Sequence, residues 1–201
     1  MLKVRNLKFA FQHLPLFENF SLDLEAGELL HLKGPNGSGK STLLSLLAGL
    51  RRNYEGEIRF SNISDLRTCI AHLAAENNGL YLHMSARENI QFWSELETHE
   101  KDTKRIDQCL QHWGLWNPWI QQMPVGRFST GMKRRLGLAR VQLSKRSCLL
   151  LDEPLNGLDK QGIEIFKTML VEHLASKGSV ILVSHETHSL RDLISRELSL
   201  S

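Results

Sequence analysis

Eight residues constrain this chain more than any others: Gly34-Pro-Asn-Gly-Ser-Gly-Lys-Ser41. They follow a short buried-type run, Glu28-Leu-Leu-His-Leu32, and lead into the apolar stretch Thr42–Leu50. The segment therefore reads strand, glycine-rich loop, helix. The spacing is GxxxxGK[ST], and its chemistry is that of phosphate binding. Glycines let a backbone close around phosphate oxygens through dihedrals that a side chain forbids. The N–H groups of such a loop, with the helix N-terminus behind it, supply positive potential. Lys40 is expected to reach the terminal phosphates and the Ser41 hydroxyl to ligate Mg²⁺. Gly34, Pro35, Asn36, Gly37, Ser38, Gly39 and Thr42 complete the expected cradle.

Strand and helix patterns alternate along the rest of the chain. Residues 2–11 and 20–32 read as strands, the second interrupted by a turn at Ala26-Gly27. Further strands are expected at 56–60 and 70–75. Ser85 and Glu88 form a capping box, after which Ile90, Trp93 and Leu96 recur at helical spacing. A second helix is expected over 100–113, a loop over Leu115–Arg127, and a third helix from its cap Ser129 to about Ser144. Then come a strand at Cys148–Leu151, a helix over 159–176, a strand at Ser179–Val183, a short helix and a strand at 196–200. Alternation of this kind implies an α/β fold with a largely parallel sheet.

Composition narrows the function class. Lys plus Arg is 25 against 22 for Asp plus Glu, a net charge of +3, which gives no basis for coating a nucleic acid or a membrane. The basic run Lys133-Arg134-Arg135 reads as a solvated helix face, and no nucleic-acid partner is expected. Cys69, Cys109 and Cys148 are an odd number of scattered thiols, which fits a reducing compartment. The opening MLKVRNLKFAF shows no signal peptide, and no stretch approaches 18 apolar residues, so a cytoplasmic chain is expected. If it works at a membrane, another chain must supply the spans. Nine histidines offer no convincing metal-ligand spacing. Trp113, Trp116 and Trp119 read either as packing of a helical lobe or as a contact surface for a membrane partner.

The run Cys148-Leu-Leu-Leu151 ends in Asp152-Glu153. A buried strand that delivers a carboxylate beside a phosphate loop is an ATPase arrangement. Asp152 would hold Mg²⁺ through water, and Glu153 would orient and polarise the attacking water. Phe128-Ser-Thr-Gly-Met-Lys133 is the next feature, and here the chain resembles the ATPase subunits of ABC transporters. Their LSGGQ signature matches at Ser129 and Gly131 and departs at Thr130 and Met132. Leu155-Asn-Gly-Leu-Asp159 resembles the D-loop, and Val183-Ser-His185 resembles the switch-histidine segment. Phe11 stands where the family has an aromatic that stacks on adenine. The family's glutamine before the helical lobe aligns with Asn77, with Glu76 as the fallback metal ligand if the register slips by one.

The resemblance covers essentially the whole chain. It implies one ABC ATPase domain over 1–201, with a P-loop NTPase (RecA-like) core at 1–84 and 141–201, an N-terminal antiparallel β part and a helical subdomain over about 85–140. It implies ATP and Mg²⁺ as cofactors, with Lys40, Glu153 and His185 as catalytic residues. It implies Ser41, Asp152 and Asn77 as metal ligands. It also implies a head-to-tail dimer in which each ATP lies between one subunit's Gly34–Ser41 loop and the other's Ser129 and Gly131. No regulatory tail and no second cassette is expected. Within the family, the compact lobe and Gly79 followed by Ser85-Ala-Arg-Glu-Asn-Ile90 look most like the haem-exporter ATPase of cytochrome c maturation. That implies integral membrane permease subunits, CcmB/CcmC-like, at the inner face of the bacterial plasma membrane. The alternatives are the ATPase of a lipid, lipoprotein or peptide transporter, or a non-transport P-loop ATPase.

Overall fold

The computed structural model describes residues 1–61, 65–76, 78–98 and 102–200. It contains two compact units: Met1–His72 with Arg146–Asp152 and Glu172–Ser201, and Leu73–Lys145 with Glu153–Val171.

The first unit begins with β1 (Leu2–Phe11) and β2 (Leu14–Leu24), paired antiparallel. In β1, buried Leu2 and Val4 alternate with exposed Lys3. The register shifts between Val4 and Leu7, where Asn6 takes φ 49°. One extra residue in the strand returns Leu7 and Phe9 to the buried side. β2 starts six residues earlier than the sequence pattern suggests. The cause is a two-residue hairpin turn, Gln12-His13, with both φ values positive (48° and 91°). Such turns usually advertise themselves with Asn or Gly, and this one does not.

β3 (Leu29–Lys33) leads into the glycine-rich loop and α1 (Lys40–Leu47). β4 (Glu55–Phe60) completes a three-stranded sheet in the order β2-β1-β4. The remaining strands are β5 (Ile70–Leu73), β6 (Cys148–Asp152), β7 (Ser179–Val183) and β8 (Arg196–Ser199). With β3 they form a five-stranded sheet ordered β5-β6-β7-β3-β8. The pairs β6–β7, β7–β3 and β3–β8 are all parallel. Every residue of β6 and β7 is buried, as expected for parallel strands covered on both faces. Leu43, Leu44, Leu46 and Leu47 of α1 join one core with Val4 and Phe9 of β1, Leu30 and Leu32 of β3, Leu150 of β6 and Ile181 of β7. One apolar helix thus seals both sheets.

The second unit carries α2 (Ala86–Thr98), α3 (Thr103–His112), α4 (Pro118–Gln122), α5 (Thr130–Leu143) and most of α6 (Lys160–Ala175). The capping box at α2 forms as expected: the Ser85 N–H donates to Glu88 Oε2 (2.8 Å) and the Glu88 N–H to Ser85 Oγ (3.3 Å). The hydrogen bonds from Ser85 hold the Glu88 carboxyl below its ordinary value. α3 is capped by Asp102, which accepts from the Arg105 N–H. α4 lies inside the expected loop. Asn117 caps it and Pro118 occupies its first turn, where a missing N–H costs nothing.

Candidate active site

The three central strands of the parallel sheet run the same way, so their C-terminal ends share one edge. β3 ends at Lys33 beside Gly34, β6 ends at Asp152, and β7 ends at Val183 beside Ser184-His185. Asp152 pairs in register with Val183 and is buried. Open α/β sheets place ligands at this edge. The structure thereby brings the phosphate loop, Asp152 and His185 to one end of the first unit. Glu153 is the next residue after Asp152. Its backbone takes φ 47°, the left-handed region that a non-glycine residue rarely enters.

The loop is built for close approach. At Gly34 a Cβ would stand 2.6 Å from the Leu200 carbonyl oxygen, and at Gly39 (φ 92°) it would stand 2.9 Å from Leu16 Cδ2. Gly39 is the N-cap of α1 and offers no capping side chain, and no acidic residue occupies the first turn. The first N–H groups of α1 and the positive end of its dipole are thus left for a ligand. Lys40 begins the helix, two residues earlier than expected. Its Nζ folds over the loop and donates to the carbonyls of Gly34 (2.8 Å) and Pro35 (2.9 Å). Loop, lysine and helix terminus converge on a cradle for an anion. Ser41 follows on the same turn, with Asp152 as the carboxylate at the same sheet edge. A hydroxyl and a carboxylate are hard oxygen donors and suit Mg²⁺. Asn77, the third expected metal ligand, lies outside the described residues.

Phe11 ends β1 and is 42% exposed. Its ring meets Phe9 edge-on at 4.9 Å, and the Arg51 guanidinium sits 5.1 Å from its centroid. Part of the ring is thus open for stacking.

In the second unit Ser129 caps α5, its Oγ accepting from the Met132 N–H (3.2 Å). Gly131 lies in the first turn, and a Cβ there would stand 2.5 Å from the Gly157 carbonyl oxygen. The signature turn and the Asn156-Gly157 turn can touch only because residue 131 has no side chain. Arg135 fixes the same pair of elements. It donates to Asp159 Oδ1 (2.5 Å) and to the Trp113 carbonyl (3.1 Å). Asp159 in turn accepts from the Gly162 N–H (2.8 Å), capping α6. The bonds from Gly162 and then Arg135 hold its carboxyl below the usual range.

The basic run is therefore not a solvated face. Arg134 is buried and donates to the Ala74 (3.0 Å) and Ala75 carbonyls. Arg135 is largely covered and ion-paired, and Lys133 reaches the Gly126 carbonyl at 3.2 Å. For Arg134 the reason is that Ala74 and Ala75 pass beside α5, and its guanidinium satisfies their carbonyls. Two more side chains, Asn89 and Trp93, also donate to backbone carbonyls in this unit. The amide of buried Asn89 accepts from the Tyr81 N–H (2.7 Å) and donates to the Tyr81 (2.9 Å) and Ser85 (3.0 Å) carbonyls. Trp93 Nε1 donates to the Gly79 carbonyl (2.7 Å), and Arg140 stacks on the Trp93 ring at 4.9 Å. The tryptophan cluster divides. Trp113 is fully buried and donates to Gln142 Oε1 (2.8 Å), whereas Trp119 is 82% exposed.

A parallel sheet with a phosphate loop after its strand β3 and a carboxylate at the end of β6, one strand beyond β7, defines a P-loop NTPase. The family model for ABC transporter matches residues 17–156, and the chain belongs to the ABC transporter family as an ATPase subunit. It is 35% identical over 191 residues to the cytochrome c biogenesis ATP-binding export protein CcmA of Vibrio cholerae serotype O1, covering 92% of this chain and 91% of that one. It is 39% identical over 178 residues to the protein of the same name from Roseobacter denitrificans, covering 89% and 81%. Among solved structures, an ATP-binding subunit of an ABC transporter superposes with TM-score 0.90 at 22% identity, covering 100% of this chain and 85% of the other. A dimeric post-hydrolysis state of the ATP-binding cassette MJ0796 bound to ADP and Pi superposes with TM-score 0.84 at 23% identity, covering 100% and 94%. Both confirm the expected fold. Among the described residues no helix is long and apolar enough to cross a membrane.

Proposed function

We propose that this chain is the ATP-hydrolysing subunit of the haem exporter used in c-type cytochrome biogenesis. The observation that carries the reading is the similarity to CcmA proteins over about nine-tenths of both chains, joined to a phosphate cradle intact at every motif position. In this reading the N–H groups of the Gly34–Ser41 loop and Lys40 bind the β- and γ-phosphates of ATP. Ser41, Asp152 and Asn77 would hold Mg²⁺, which would supply neutralisation of phosphate charge. Glu153 orients and polarises the attacking water, and His185 holds the γ-phosphate end. Phe11 stacks on adenine. A second copy, arranged head to tail, completes each site with its Ser129 and Gly131. The chain sits on the cytoplasmic face of the bacterial inner membrane against permease subunits, CcmB/CcmC-like. Exposed Trp119 and the exposed aromatic pair Tyr81 and Phe92 (4.8 Å apart) are the surface they would meet.

Replacing the gene by its Glu153→Gln form tests the reading. Covalent haem on c-type cytochromes should disappear from haem-stained gels, while cytochromes that hold haem non-covalently remain. Normal c-type cytochromes in that strain would overturn haem export and leave the ABC ATPase standing.

A further inference from the structure

The four buried residues of β3 are apolar except at one place. Leu29, Leu30 and Leu32 are fully covered, and so is His31 between them, at 3% exposure. Its Nε2 lies 3.0 Å from the Ser184 carbonyl oxygen. A carbonyl oxygen only accepts, so Nε2 carries the hydrogen and donates it. Ser184 is the first residue beyond β7. The Cα partner of His31 on that strand is Leu182, so the ring reaches two residues forward. It meets the first carbonyl that has left the ladder. Ser184 Oγ closes the turn beyond it, accepting from the Glu186 N–H (3.2 Å) and donating to the Glu186 carbonyl (3.0 Å). The residues on either side of His185 are therefore both anchored. On the other side of the ring, Nδ1 faces Glu197 Oε1 at 3.4 Å, on the residue paired with His31 across β3 and β8. The other oxygen of Glu197 is held by Lys33 Nζ at 2.5 Å. Lys33 directly precedes Gly34. The Lys33 ammonium holds the Glu197 carboxyl below its usual range, so an anion anchors the chain of contacts at neutral pH.

We propose that His31 is a positioning residue that ties the strand of the phosphate loop to the peptide carrying His185, and so sets where His185 meets the γ-phosphate. This rests on the reading of the chain as an ATPase. A buried polar group must be bonded, but an apolar side chain at position 31 would satisfy the core with less desolvation. What the histidine adds is a donor aimed at Ser184.

The test compares His31→Leu, which fills the volume without a donor, with His31→Gln, whose amide N–H can reach the same carbonyl. With purified full-length protein and MgATP, His31→Leu should lower kcat on the order of 10-fold and leave KM for ATP in place. His31→Gln should restore most of the rate. Hydrogen exchange should quicken at residues 184–186 in His31→Leu and stay unchanged within β7. Wild-type kcat in His31→Leu, or unchanged exchange at 184–186, would overturn the proposal. So would equal losses in both variants with lowered thermal stability. If the wild-type protein hydrolyses no ATP, the ATPase reading fails by itself, and the exchange comparison still decides the role of His31.

Discussion

In the first unit the chemistry is presented by backbone. Loop amides, an uncapped helix start and three parallel strand ends converge, and the side chains Lys40, Ser41 and Asp152 are added to that frame. In the second unit the relation is reversed. Residues 74–76 and 78–84 are irregular backbone, and the side chains of Arg134, Asn89 and Trp93 reach in to satisfy it. The difference teaches where each unit is vulnerable. Side-chain changes in the first should abolish function and spare the fold. Side-chain changes in the second should cost stability first.

The largest expected effect is at Glu153, which opens the second unit directly after β6 and is the exception to that rule. In the proposed reading Glu153→Gln removes a base positioned on water, so hydrolysis should fall by about 10²–10⁴-fold. ATP binding should persist, and the variant should collect as a nucleotide-bound dimer on a sizing column. Next comes Lys40→Ala. Losing a preorganised cation at developing phosphate charge should reduce hydrolysis by about 10²–10³-fold and weaken ATP binding in a fluorescent-nucleotide titration. The bonds that Lys40 makes within the protein go to loop carbonyls at the surface, so the thermal midpoint should hardly move. A large drop in that midpoint would break the comparison at its first arm.

Asn89→Ala addresses the second arm. It would leave the part-buried Tyr81 N–H without its acceptor and remove one of the donors that the Tyr81 and Ser85 carbonyls share with backbone N–H groups. An unmade buried hydrogen bond costs roughly 1–3 kcal/mol, and urea unfolding should report a loss of about 2–3 kcal/mol. Nucleotide affinity, which the proposed reading assigns to the first unit's loop, should survive in the folded fraction. Unchanged urea stability would show that residues 81–85 need no such clamp.

The same contrast explains what could be read before the structure. A phosphate loop works through backbone geometry, so its residues are dictated one by one and spell a motif. Asp152 was legible because an apolar strand delivers it, and Ser85–Glu88 because a capping box is local. The clamps in the second unit act between residues up to 60 positions apart. Nothing near Arg134 in the sequence says that it will be buried, and a run of three basic residues suggests water instead. His31 was read as part of a buried strand, but its partners lie more than 150 residues away. The hairpin at Gln12-His13 was missed for a local reason: positive φ there is imposed by pairing of Phe11 with Leu14 and by no turn residue.

The smallest expected effect joins the signature helix to its neighbour. Asp159 accepts from Arg135 and from the Gly162 N–H, and these bonds hold its carboxyl below the ordinary carboxylate value. A group whose pKa is depressed on folding stabilises the protein above its unfolded value and loses that contribution as pH falls through the folded one. The contribution should therefore be whole at neutral pH, begin to fade near pH 4, and vanish only below the depressed value. Asp159 is 65% exposed, so water and salt screen the pair, and a pair of this kind is worth only about 0.2–1 kcal/mol. Asp159→Asn keeps an acceptor for the Gly162 N–H and deletes the charge. It should lower stability by no more than that amount at pH 7 and make the acid limb of the stability curve shallower. Added salt should shrink the gap between the two proteins, whereas it should leave the Asn89→Ala deficit in place, because that loss is one of hydrogen bonds between uncharged groups. An Asp159→Asn deficit that ignored salt would place this contact with the buried clamps.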